Sequence, residues 1–462
     1  MLSNKEQEVM DKLAKLAQKN NLIDPELYKR YEVKRGLRND NGTGVLVGLT
    51  GIAEVYGYYI IDGEKVPDEG VLRYRGIPLK ELCNGFQQEG RFGFEETIYL
   101  LLFGKLPTVE ALTDFNETLG NHRMLPDGFL ENMILKNPST DIMNKIQRSI
   151  LVSYSYDNNP DDISIRNIIR QSIDMIAKMP AIMAYGYQAK QHYYNGESLY
   201  IHMPQKHYST AENILHLIRP DNHFTAKEAE LLDLCLVIHA EHGGGNNSAF
   251  ATYVVSSSGT DTYAALSAAV GALKGPKHGG ANRKVLEMMA DIKEHVKDWD
   301  DCGQVYDYLK KIAQKEAFDK TGLIYGMGHA IYTKSDPRAV VLEEKALELA
   351  VEKNRVEEFK LYENVERLSK KLFKELKGED FVICANVDFY SGFVYDMLNI
   401  PGELYTPLFA VARTAGWCAH RVEQLISEQR IIRPAYKSVS GRNVTYVPFA
   451  ERVPEVFEPD SE

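Results

Sequence analysis

Residues 263–273 read YAALSAAVGAL, and this stretch decides the fold class. It carries no charged side chain. A helix this apolar has no face suited to water and must be buried on most sides. Its small residues let a second helix approach closely, in a core or across a subunit contact; the sequence leaves both open. The helical reading spreads outward from here. Residues 93–104, 139–155 and 163–184 repeat apolar side chains with a helical period, and Asp161 and Asp162 stand where a helix start favours acids. Residues 1–19 and 340–377 are rich in helix formers, with mixed charges three and four positions apart. The strongest β signal, residues 44–61, intersperses Val45, Val47, Val55 and Tyr56 with glycines and suits only a small sheet. Strands do not alternate with helices, which excludes a doubly wound fold. The expected fold is all-α in two domains, with a minor N-terminal β element.

The chain has 462 residues, 44% of them hydrophobic and 26% charged. Single cores rarely exceed about 250–300 residues, so two or more cores are expected. Lys and Arg number 54 against 65 Asp and Glu, a net charge of −11. That balance disfavours nucleic acid as a partner but leaves room for a local basic site for a small anion. No apolar run reaches the ~20 residues of a membrane span. Residues 1–19 lack the marks of a signal or transit peptide, so a cytoplasmic protein is expected. The five cysteines (Cys83, Cys235, Cys302, Cys384, Cys418) are widely spaced and read as core-filling thiols. Residues 451–462 read as a solvated acidic end.

Chemistry concentrates where glycine interrupts the helices. His242 lies in Glu241-His-Gly-Gly-Gly, His278 in Gly275-Pro-Lys-His-Gly-Gly-Ala-Asn, and His329 in Gly326-Met-Gly-His-Ala-Ile-Tyr. Glycine lets backbone approach a ligand closely. His239 and His242 share a spacing that superficially suits a metal, but no third ligand is evident and no metal is expected. Walker, dinucleotide and nucleophile-elbow motifs are missing. Asp388 follows the apolar run 381–385. Desolvation there strengthens a carboxylate as a base, whereas a helix starting near Tyr390 would make it a cap. Arg413 sits in an apolar helical stretch and needs an anionic partner. With Arg338 and Arg433 it makes three candidate clamps for a small di- or tricarboxylate.

Taken in order, the blocks His239-Ala-Glu-His-Gly-Gly-Gly-Asn-Asn-Ser, Gly275-Pro-Lys-His-Gly-Gly-Ala-Asn, Gly326-Met-Gly-His-Ala-Ile-Tyr with Asp336-Pro-Arg, Asn386-Val-Asp-Phe-Tyr-Ser-Gly and Arg413-Thr-Ala-Gly-Trp with Arg433-Pro resemble those of the citrate synthase family. The likeness covers about residues 35–437.

The resemblance implies a helical homodimer whose active sites are shared between subunits. A large domain (residues 1–279 and 395–462) would hold an inserted, CoA-binding small domain (280–394). The implied reaction condenses acetyl-CoA with oxaloacetate and hydrolyses citryl-CoA to citrate and CoA, as in the tricarboxylic acid cycle, with no permanently bound cofactor. 2-Methylcitrate synthase, which uses propionyl-CoA, is the close alternative. By resemblance Asp388 is the base, His278 bonds the thioester oxygen, and His329 polarises the ketone. His242, Arg338 and Arg413 hold the carboxylates, with Arg433 reaching in from the partner subunit. Leu323, Ile324, Tyr325, Gly326 and Gly328 line CoA, and Arg38 meets its phosphate. Lys334 stands beside Thr333, where one family pattern has a basic residue. A binding protein on an inactive scaffold would have lost a catalytic group, yet Asp388, His278 and His329 are all present.

Overall fold

The computed structural model describes residues 3–428, 430–440 and 445–453. Among these the chain forms seventeen α-helices and one three-stranded sheet, so the all-α expectation with a minor β element is met. No described helix is long and apolar enough to cross a membrane.

The chain divides into two compact units, one of residues 1–45 with 433–462 and the other of residues 46–432. In the terminal unit, helix Asn4–Asn21 opens with a capping box, Ser3 accepting from the Glu6 amide while Glu6 accepts from the Ser3 amide. Asp24 caps helix Pro25–Arg30. Neither helix buries a residue. Of the expected acidic end, residues 454–462 lie outside the described residues.

The larger unit holds the core. Residues 263–273 fall in helix Thr262–Lys274, capped by Asp261. Tyr263, Ala265, Leu266, Ala269, Val270 and Leu273 are buried, and the helix packs on Ile142–Ser153 and Asn247–Ser256 of the same chain. The buried face is an intrachain contact, while Ala264, Ala268 and Ala272 on the other face are half-buried. Burying a leucine of this kind contributes about 1.5–3 kcal/mol. The small residues serve close approach: a Cβ on Gly271 would stand 2.7 Å from Gln147 Nε2.

Some boundaries differ from the sequence reading. Residues 340–377 are two helices, Pro337–Glu352 and Val356–Lys377, interrupted where Asn354 takes a positive φ of 56°. Helix Ile165–Asn195 runs well past residue 184 and stops at Gly196, φ 75°. Asp161 and Asp162 precede that helix rather than start it; Asp162 accepts from the Ser164 amide. The sheet begins later than expected and extends further, as β1 (Ala53–Ile61), β2 (Glu64–Tyr74) and β3 (Ile77–Pro78), all antiparallel. Residues 46–50 are not strand, and Leu46 and Leu49 are exposed. Asp62-Gly63 turns the hairpin with both φ positive. A bulge at Gly57 brings the hairpin onto the loop at residues 331–335, where a Cβ on Gly57 would meet the Tyr332 Cα at 2.7 Å. Cys83, Cys235, Cys384 and Cys418 are buried, Cys302 is partly so, and all five are free.

Candidate active site

Two chain segments distant in sequence are stitched together at the site. Met327 pairs with Ala385. The Gly328 amide donates to the Cys384 carbonyl at 2.7 Å, and the Asn386 amide to the Gly326 carbonyl at 2.8 Å. Asn386 Nδ2 donates to the Gly328 carbonyl at 3.0 Å. Gly326 has φ 81°, and a Cβ there would meet Phe389 at 2.7 Å, so only glycine permits this crossing. The ladder fixes the His329 loop beside the start of helix Val387–Met397. That helix begins earlier than Tyr390, and Asn386 is its cap, accepting from the Asp388 amide at 3.0 Å. Asp388 thus occupies the first turn and is free of the capping duty that the sequence allowed it.

Burial pushes the Asp388 carboxyl up to about 6, with Asp336 adding to the rise and Arg338 and Arg413 opposing it. At neutral pH it is still mostly ionised and is a stronger base than an ordinary aspartate. The tautomer of His329 follows from its backbone contacts. Its Nδ1 accepts from the Ile331 and Tyr332 amides at 3.1 and 3.2 Å, so a neutral ring carries its proton on Nε2 and can donate from there. The His242 and His329 rings lie 5.1 Å apart between centroids, and Tyr332 stacks on His329 at 4.6 Å. His242 Nε2 shares a hydrogen bond with the Tyr332 hydroxyl at 3.2 Å. Desolvation, with Arg338 and His329 nearby, holds His242 well below the usual imidazole range.

Two of the buried arginines, Arg338 and Arg413, differ in their partners. Arg338 is paired with Asp336, through Nε at 3.0 Å and Nη2 at 2.7 Å. Asp336 also accepts from the Val387 amide at 3.2 Å, which ties Arg338 to the helix carrying Asp388. Arg413 is fully buried; its Nε donates to the His239 carbonyl at 2.7 Å and its guanidinium lies 4.6 Å over the Phe409 ring, but Nη1 and Nη2 have no hydrogen-bond partner. Burial draws it down to about 10. Two unmet guanidinium donors in a dry site form a fork that fits a carboxylate.

His278 is held by Asn246 Oδ1 and Ser248 Oγ, each 3.1 Å from Nε2. Trp417 Nε1 donates to the same serine oxygen at 3.1 Å. Burial first, then Arg413, brings His278 down to about 4, so it is neutral at pH 7. Ser248 Oγ donates to Asn246 Oδ1 at 2.9 Å, so a neutral His278 that donates from Nδ1 requires the Ser248 proton to turn to Nε2 and the Asn246 amide to present its Nδ2. His239 points elsewhere: its Nδ1 bonds the Cys235 carbonyl at 2.8 Å. Among the described residues, no cluster of His, Cys, Asp and Glu is arranged to hold a metal ion.

The remaining expected residues are placed as follows. Ile324 is buried, whereas Leu323 and Lys334 are exposed. The Tyr325 hydroxyl donates to Asp319 at 2.7 Å. Thr333 is half-buried and faces the hairpin. Its hydroxyl bonds the carbonyls of Gly57 and Asp68, and the Asp68 amide donates back at 3.1 Å. Arg38 and Arg433 belong to the terminal unit; Arg38 Nη1 donates to the Gly42 carbonyl at 3.3 Å, and Arg433 is exposed. Sequence reasoning missed the supporting roles of Tyr332, Asp336, Asn246 and Ser248. All four stood inside or beside the glycine-histidine blocks, and that proximity was the available signal.

Residues 41–435 match the family model for the citrate synthase C-terminal domain. The citrate synthase of Synechocystis sp. is 34% identical over 84% of this chain and 90% of its own. That of Haloferax volcanii is 32% identical over 91% of this chain and 99% of its own. 2-Methylcitrate synthase 1 of Corynebacterium glutamicum is also 32% identical, over the same shares. Among solved structures, citrate synthase from Thermoplasma acidophilum, in ternary complex with carboxymethyl coenzyme A and oxaloacetate, superposes with a TM-score of 0.74 at 26% identity. The match covers 91% of this chain and 99% of that one.

Proposed function

The chain belongs to the citrate synthase family, and we propose that it condenses acetyl-CoA with oxaloacetate and hydrolyses the citryl-CoA formed to citrate and CoA. The observation that carries this reading is Arg413, whose two buried, unpartnered η nitrogens await a carboxylate close to a desolvated aspartate and a proton-donating histidine. In this reading oxaloacetate binds first. Its carboxylates are held by Arg413, Arg338 and His242, with Arg433 entering from a second subunit of a homodimer.

Asp388 then takes a proton from the acetyl methyl group. His278 donates a hydrogen bond to the thioester oxygen as enolate charge develops. The carbon nucleophile attacks the oxaloacetate ketone, and His329 Nε2–H supplies the proton to the new hydroxyl. Water then cleaves the thioester. CoA lies along Leu323, Ile324, Tyr325, Gly326 and Gly328, its phosphates met by Arg38 and Lys334. Residues 280–394 act as the small domain and residues 1–279 with 395–462 as the large one. Closure keeps water from acetyl-CoA until the carbon bond has formed. We place the reaction in the cytoplasm, within the tricarboxylic acid cycle.

A second reading, propionyl-CoA as substrate, is favoured by the Corynebacterium relative. One methylene in an apolar pocket is worth only about 1–3 kcal/mol, so the same machinery serves both substrates. Steady-state release of free thiol with oxaloacetate and either acetyl-CoA or propionyl-CoA decides. A higher kcat/KM for acetyl-CoA supports the first reading, and the reverse order supports the second. No thiol release with either sinks both.

A further inference from the structure

A chain of four polar side chains runs behind the site, and the mechanism above does not use it. Glu241 and His420 are wholly inaccessible, with Glu241 Oε1 2.8 Å from His420 Nε2. His420 Nδ1 lies 2.7 Å from the Tyr253 hydroxyl. That hydroxyl lies 3.0 Å from Glu423 Oε2. Glu423 Oε1 accepts from the Gly51 amide at 2.7 Å and stands 4.0 Å from the Arg75 guanidinium.

Counting donors fixes the protons. The Tyr253 hydroxyl donates its single proton to Glu423 Oε2, and Glu241 Oε1, which already accepts from the Gly243 amide, accepts from His420 Nε2. The Tyr253 oxygen is then an acceptor toward His420, and Nδ1 must also carry a proton. A neutral His420 would either take the Tyr253 proton and leave two bare oxygens facing each other at 3.0 Å, or keep its proton on Nδ1 and leave a bare Nε2 facing Glu241 Oε1 at 2.8 Å. We propose that His420 is a positioning residue held as an imidazolium, whose charge pins Glu241 so that Glu241 seats the His242 loop for the substrate carboxylate.

The surroundings of Glu241 fit that role. Its Oε1 also accepts from the Gly243 amide, and its own amide donates to the Tyr74 hydroxyl at 3.3 Å, which bends the chain into His242. Its Oε2 lies in space that only glycine leaves open: a Cβ on Gly416 would stand 2.1 Å away. Gly416 is one helical turn beyond Arg413. Burial acts to raise the Glu241 carboxyl, but His420, Arg413 and the Gly243 amide hold it below the ordinary range. Among charged groups, Glu241 is the foremost in favouring the Arg413 cation; Asp388 and Tyr74 act in the same sense, and Arg338 against.

This inference rests on the dicarboxylate site proposed above, and the test separates the two. Selective ¹⁵N-histidine labelling of the full chain, with the His420 signal assigned by its change in Tyr253→Phe, reads the ring directly without substrate. Both ring nitrogens of His420 should be protonated at pH 7.5; an unprotonated Nδ1 overturns the proposal. Oxaloacetate binding is then measured by calorimetry for His420→Gln, Glu241→Gln and the double variant. His420→Gln should weaken binding about thirtyfold by stranding the Glu241 charge. The double variant should recover to within about threefold of Glu241→Gln alone. Losses that simply multiply would mean that His420 only fills space, and would also overturn it. If wild-type protein with a doubly protonated His420 fails to bind oxaloacetate, the proposed function fails instead.

Discussion

Asp388→Asn should make the protein more stable while it abolishes turnover. The carboxyl rises from 3.8 to about 6 because the folded chain desolvates it more than Arg338 and Arg413 compensate. One pKa unit is 1.36 kcal/mol, so folding with Asp388 ionised costs about 3 kcal/mol. Above pH 6 the aspartate is ionised both folded and unfolded, and the full cost is present. As pH falls from about 6 toward 3.8, the folded form takes up its proton first and the cost disappears. Asparagine keeps the shape and never carries the charge. Urea unfolding of the substrate-free protein, followed by the fluorescence of the buried Trp417, measures the difference. The variant should be about 3 kcal/mol more stable at pH 7.5, with the gap closing by about pH 4. A variant no more stable at pH 7.5, or a gap that does not change with pH, would refute the desolvated-base reasoning. Retained activity within tenfold of wild type would refute the catalytic role.

For the wild type, kcat/KM for acetyl-CoA should fall about tenfold per pH unit below pH 6, because the protonated Asp388 cannot act as a base; a profile flat to pH 5 excludes it. Gly416→Ala would place a Cβ 2.5 Å from the Ala240 carbonyl and 2.1 Å from Glu241 Oε2. Since the backbone atom cannot retreat, a loss of about 1–3 kcal/mol in urea unfolding and a raised oxaloacetate KM are expected. Arg433→Ala and Asp388→Asn should each be inactive alone, and mixing them should restore activity toward a quarter of wild type when about half the dimers are mixed. Confirmed subunit exchange without recovered activity would place Arg433 outside the partner's site.

What the sequence made legible follows the range of the forces involved. Helix Thr262–Lys274 could be read because its signal is local: every turn repeats it. The hairpin was harder. Asp62-Gly63 is a turn signal, but β2 carries Pro67, Asp68 and Glu69 in place of a clean apolar alternation, and its partner is set by register rather than by its own pattern. The site divides in the same way. His242, His278 and His329 could be singled out because each sits beside glycines that mark the sequence, and Arg338 because it follows Asp336-Pro337 at the start of helix Pro337–Glu352. Arg413 could be singled out because a charge in an apolar helix is itself an anomaly.

The residues that hold these groups leave no such mark. Tyr253 and His420 are 167 positions apart, and Glu241 and His420 are 179 apart. Nothing in the composition around either partner announces the pairing. A buried polar side chain is tolerated only if some distant element completes its hydrogen bonds. The rule that requires a partner for His420 is therefore physical and certain, while the identity of that partner is a property of the fold. Function at this site is consequently written twice: once in local motifs that can be read along the chain, and once in long-range pairs that exist only after the helices have packed.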